Sequence, residues 1–158
     1  MSDHETDYEA RVGELGLSIP EPPPPAGAYV PAVQSGNLVF CSGQGPYRDG
    51  VFVHTGQVGR ELTLEQGYDA ARISMLNCLG EIRSVIGSLN RIRRIVQVRG
   101  FVNCTQEFMD QPKVINGASE LLLEIFGERG RHARCALGTS SLPASIPVEI
   151  EMVVEISS

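Results

Sequence analysis

Positive charge is in short supply in this sequence: 13 lysines and arginines face 19 aspartates and glutamates, for a formal net charge of −6. A surface that tracks phosphates needs clustered Lys and Arg, so a nucleic-acid partner is not expected. The one basic cluster, RIRRIVQVR, alternates along a strand pattern and divides its charges between two faces. Metal ligands are equally sparse. Cys41, Cys78, Cys104 and Cys135 are scattered with no CxxC pair, and His4, His54 and His132 stand apart from them and from each other. That spacing argues against a zinc site and reads instead as reduced, mostly buried thiols in a cytoplasmic protein. No apolar run approaches the roughly 20 residues that span a bilayer, and mean hydropathy is −0.04. The opening MSDHETDYEARVGEL is acidic and polar, unlike a secretory signal. The glycine-rich GQGPYRDG, read as a loop, lacks GK[ST] and a following helix, so it is no phosphate cradle. Neither a metal nor an organic cofactor is implied.

What is present is enough apolar content, 42% of 158 residues, for one core. We read residues 1–158 as a single domain with an N-terminal arm over 1–27 and a core over 28–158. Within the arm, DYEARVGELG predicts a short helix with Tyr8, Val12 and Leu15 on one side and Gly16 at its end. PEPPPP then runs extended as a stiff strap, since proline fixes φ and lacks an N–H. YVPAVQSGNLVFCSG predicts a hairpin turning at Ser35-Gly36-Asn37. Thr63 and Gln66 form a capping box ahead of an apolar stripe through Leu64, Tyr68, Ala71, Met75, Leu79, Ile82 and Ile86. IRRIVQVRGFVNC is a strand, and a second helix from about Lys113 to Phe126 faces Val114, Ala118, Leu121, Leu122 and Ile125 inward. ARCALG and VEIEMVVEI are the closing strands. The order, hairpin–α–β–α–β–β, predicts an α+β fold with two helices on one face of a mixed sheet.

The last strand alternates cleanly. Val148, Ile150, Met152, Val154 and Ile156 suit the helices, whereas Glu149, Glu151, Val153 and Glu155 point to the other face, solvated or covered by another subunit. For Arg134 and Glu149 two readings stand. They form a salt bridge between neighbouring strands, worth little if exposed, or Arg134 grips a planar carboxylate through two parallel N–H bonds.

AYVPAV…NLVFCSGQGP, VINGASELLLEIFG and ARCALG…LP…VEIEMVVEI resemble the Rid (YjgF-like) reactive-intermediate deaminases, in matching order from Tyr29 to the C-terminus. The resemblance implies a chorismate-mutase-like α+β fold and a homotrimer with sites in clefts between subunits. By position, Arg134 matches the arginine that binds the substrate carboxylate and Glu149 the glutamate that holds the hydrolytic water. Tyr29, Ser42, Gly43 and Asn116 match the remaining substrate-binding positions. There are departures. Ala136 stands where a cysteine is common, with Cys135 one place earlier, and the loop reads SGQGP with glycine in place of an aliphatic residue. One extra residue separates Asn116 from Arg134, and the arm is longer. These point to a divergent subgroup, "YjgF/chorismate-mutase-like, putative endoribonuclease". The activity implied is hydrolysis of enamine/imine intermediates of the 2-aminoacrylate type to a 2-oxo acid and ammonia. A non-catalytic binder of small carboxylates such as 2-oxo acids is the second reading. An endoribonuclease or translation inhibitor ranks last, because the chain is acidic and has no evident His pair or basic groove.

Overall fold

The computed structural model describes residues 6–158; the first five residues of the expected arm lie outside them. Helix α1 (Tyr8–Glu14) begins where the Asp7 side chain accepts from Ala10 N–H, and it buries Tyr8 and Val12. The arm is therefore packed on the core. Arg83 of the next helix holds it, pairing with Glu9 at 3.2 Å and donating to the Ile19 carbonyl at 3.0 Å.

Strands β1 (Ala32–Ser35) and β2 (Leu38–Gln44) form the expected hairpin, with Ser35 opposite Leu38. The segment read as a glycine-rich loop is instead a second small hairpin, β3 (Tyr47–Arg48) and β4 (Val51–Phe52). Its turn is Asp49-Gly50, both at positive φ, the Asp-Gly chemistry of a two-residue hairpin turn. Helix α2 (Leu64–Ile86) carries the Thr63/Gln66 capping box. Its stripe is buried from Ala71 onward, while Leu64 and Tyr68 are half-buried. Then come β5 (Ile92–Asn103), α3 (Gln111–Phe126), β6 (Ala133–Thr139) and β7 (Val148–Ile156). Helix α3 starts two residues before the expected Lys113, with Pro112 in the first turn where its missing N–H costs nothing.

The main sheet runs β1-β2-β7-β5-β6. β5 and β6 are parallel, joined through α3, and the other pairs are antiparallel. Helices α2 and α3 pack together and cover one face. β7 alternates buried and half-buried at every residue from Val148 to Ile156. Its buried set faces the helices, and the core closes there around Met75, Leu79, Val98, Leu121 and Ile150. The other face stays open and partly apolar. Val33, Phe40 and Leu137 are 51%, 46% and 52% exposed, and Phe40 lies opposite Val153 on that face.

Candidate active site

Arg134 sits on the edge strand β6, level with Val98 of β5. Val98 is fully buried beneath the helices, and residues level on adjacent strands share a face, so Arg134 points to the helix side. There α3 meets it. Its Nη1 donates to Asn116 Oδ1 at 2.8 Å and to Ser119 Oγ at 3.1 Å. Asn116 and Ser119 are three residues apart on one helix face, so one guanidinium reaches both. Ser119 Oγ is also 2.9 Å from His132 Nε2, and His132 Nδ1 is 2.6 Å from the Gly130 carbonyl. With the proton on Nδ1, Nε2 accepts from the Ser119 hydroxyl, and that oxygen is left to accept from Arg134. Burial holds the His132 pKa below its usual value, opposed by the Gly130 hydrogen bond and aided by the Arg134 charge. The imidazole is thus neutral near pH 7. Both of these bonds use Nη1, so the rest of the exposed guanidinium fork is free among the described residues.

Glu149 lies on β7, level with Phe101, on the opposite face of the sheet. It is half-buried, and burial first, then the Glu151 charge, pushes its carboxyl above the usual range. Beside it the β2–β7 pairing shifts register between Cys41 and Gln44. Gly43 sits in that irregular stretch, and a Cβ there would come within 3.0 Å of Glu149 Cδ. Ser42 donates through its hydroxyl to the Val30 carbonyl at 2.7 Å, and through its N–H to the Pro31 carbonyl at 2.8 Å. It anchors the segment that carries Tyr29. Tyr29, Gly43 and Glu149 line one cavity of about 310 Å³, with Pro23, Pro24 and Pro25 of the strap among its walls. Ala144 and Ser145, both at φ 54, form the strained turn at its rim.

The six expected residues therefore fall into two groups. Tyr29, Ser42, Gly43 and Glu149 cluster at the β2–β7 irregularity, and Asn116 with Arg134 at the α3–β6 edge. The reading of Arg134 and Glu149 as a salt bridge between neighbouring strands is corrected: β5 runs between β6 and β7, and the two side chains leave opposite faces. Ala136, level with buried Gly100, shares Arg134's side, and Cys135, level with exposed Arg99, does not, as strand alternation predicts. Another cleft, about 510 Å³, is lined by Gln57, Phe108 and Gly138 among others, with Arg60 its one charged residue; none of the six reaches it.

Three residues went unmarked in the sequence. Ser119 was legible as the i+3 neighbour of Asn116. His132 had no signal beyond its place before a strand. Glu81 is an acid inside the buried run of α2, only 2% exposed, and it lines the Glu149 cavity.

A mixed five-stranded sheet with two helices on one face defines an α+β fold of the chorismate-mutase-like kind. The chain belongs to the family described as "YjgF/chorismate mutase-like, putative endoribonuclease", whose model matches residues 9–155. It is 41% identical over 150 residues to protein TCP17 of Trypanosoma cruzi, covering 94% of each chain. A solved protein of unknown function from Agrobacterium tumefaciens is 42% identical, with TM-score 0.89 over 95% of this chain and 92% of that one. A "putative endoribonuclease" from Shewanella oneidensis is 35% identical, with TM-score 0.92 over 96% and 100%.

Proposed function

We propose that this chain hydrolyses 2-imino acids to 2-oxo acids and ammonia, in a closed ring of three copies whose sites each use Arg134 from one copy and Glu149 from another. The observation that carries this is the separation just described. Each half of the site is built and aimed, yet one chain presents the halves on opposite faces of its sheet. The open face supports the assembly, because Val33, Phe40 and Leu137 make an apolar surface that a second copy can bury.

In the shared cleft the Arg134 fork takes the substrate carboxylate, and Asn116 and Ser119 fix its orientation. The electrophilic C=N carbon, one bond from that carboxylate, then faces the carboxylate-bearing cavity. Glu149, its pKa raised by burial, accepts the proton of the attacking water. The mixed charges of Arg93, Arg94, Glu128, Arg129 and Glu155 give no basic groove to favour the nuclease reading.

Subunit mixing tests this directly. Arg134→Ala and Glu149→Gln are each expected to be inactive on freshly generated imine. Dissociated together and reassembled, they should regain activity, because some clefts then combine an intact Arg134 with an intact Glu149. Light scattering should give about three times 17.1 kDa. No recovery in verified mixed oligomers, or a stable monomer, would remove the shared site.

A further inference from the structure

Glu81 stands on α2 beneath the sheet, whereas Glu149 projects from its open face, yet both line the same 310 Å³ cavity. The register shift in β2 and the missing side chain at Gly43 open the sheet at this point. Glu81 is 2% exposed, and its Oε2 has no hydrogen-bond partner among the described residues. A buried carboxyl left unsatisfied is a standing cost to the fold, so its presence here calls for a reason other than packing. Among the described residues no lysine, arginine or histidine lines the cavity to neutralise it. The nearest cation along α2, Arg83, is occupied by Glu9 and the Ile19 carbonyl. The other titratable neighbours are Tyr29 and Tyr47, which line the cavity, and Cys78 and Cys41, which are buried thiols. Cys78 is held neutral, its pKa raised chiefly by burial and then by Cys41, Glu81 and Glu149. Burial likewise raises the Glu81 carboxyl above its usual range, in the same cavity that Glu149 lines.

We propose that Glu81 is a second proton-transfer residue of this cavity, a carboxylic acid that serves the substrate nitrogen while Glu149 serves the water. This deepens the imine-hydrolysis reading and rests on it. Glu149 takes a proton from water as its oxygen bonds to the imine carbon. The C=N π pair moves to nitrogen, which takes the Glu81 proton, giving a neutral carbinolamine. On collapse the new hydroxyl returns its proton to Glu81 as the C=O forms. The C–N pair leaves with nitrogen, which takes the proton held by Glu149 and departs as ammonia. Both carboxyls end as they began. The walls around them, Tyr29, Phe52, Ile146 and the strap prolines, are uncharged, so the substrates that fit carry an uncharged side chain on the imine carbon.

The test is Glu81→Gln, which keeps the shape and removes the transferable proton. Its Tm should be equal to or above wild type, its affinity for pyruvate unchanged, and its kcat on freshly generated imine lower by about 100-fold. An acid must be protonated to act, so wild-type kcat should fall as pH rises through the Glu81 pKa, and the variant should lose that alkaline limb. Carboxyl-resolved NMR of the wild type, which needs no variant, should show Glu81 still protonated above the ordinary carboxylate range. Glu81 titrating with ordinary glutamates, or a folded Glu81→Gln with wild-type kcat and pH profile, overturns the proposal while leaving imine hydrolysis standing. A wild type that turns over no imine ends both.

Discussion

On one side of the sheet Arg134 is exposed and held by the two hydrogen bonds it donates to α3. On the other, Glu149 is half-buried, roofed by prolines, and bonded to nothing among the described residues that would stabilise its charge. The two regions solve different problems. A guanidinium stays charged at any relevant pH, so solvent costs it little and what it needs is orientation. A carboxylate in water is a poor base at neutral pH; it needs a drier place that raises its pKa. An edge strand beside a helix supplies the first environment, and an irregular β2–β7 pairing beneath a strap supplies the second. This chain sets the two environments on opposite faces of its sheet, the arrangement that the proposed shared cleft would use.

The sharpest way to break the comparison is at Glu149. Glu149→Gln keeps the side chain's shape and its place beside Gly43 but removes the base. We expect kcat to fall by about 100- to 1,000-fold while pyruvate affinity holds within a few-fold, measured by single-turnover kinetics and calorimetry. A parallel loss of binding would mean that the carboxylate half also holds substrate.

Arg134→Lys attacks the other half and should read the opposite way. Lysine keeps the charge but offers a point donor on a flexible stem. The cost should be about 2–3 kcal/mol, a roughly 30- to 150-fold loss in kcat/KM that appears in pyruvate affinity as well. Because Arg134 is exposed, Tm should move little. A change confined to Tm would make Arg134 a structural residue.

Most of this architecture was readable in advance because it rests on periodicity. The β7 alternation, the α2 capping box, the α3 stripe and the Ser35-Gly36-Asn37 turn are local signals, and the chain obeys them. Strand order is not local. Nothing in ARCALG or VEIEMVVEI says that β5 inserts between them, so Arg134 and Glu149, 15 residues apart in sequence, read as neighbours. Asp49-Gly50 is a hairpin signal set within a glycine-rich stretch that reads as a loop. Glu81 was hidden for a different reason: an acid in a long amphipathic helix that also carries Glu65 and Asp69 reads as surface until the strap is known to cover its turn.

The strap offers a third, smaller contrast, since it roofs the Glu149 side and leaves Arg134 alone. It lies so close on α2 that a Cβ at Gly80 would be 2.3 Å from the Pro20 carbonyl. In an open helix Gly→Ala stabilises by about 1 kcal/mol. Here the clash is with backbone, and Gly80→Ala should instead cost about 1–3 kcal/mol in chemical denaturation. It should lower kcat by disturbing the roof, with Arg134-dependent pyruvate binding retained. A stabilised variant would show that the strap lifts freely.

The smallest effect expected is on stability, and it separates the halves by pH. Burial places the folded-state pKa of Glu149 above its unfolded value, so between the two values the folded chain binds more protons. Unfolding free energy must then fall as pH rises through that interval, which begins at the usual carboxylate pKa and runs upward. Glu149→Gln removes the titrating group, so its Tm should exceed wild type at neutral pH by a few degrees at most, with the gain vanishing toward pH 4. The effect stays small because the group is only half-buried and solvent screens it. Arg134→Lys titrates nowhere in that range, and its Tm difference from wild type should be flat with pH. If the two variants show the same pH dependence, the carboxylate side owes nothing to burial, and the contrast between the two halves loses its electrostatic basis.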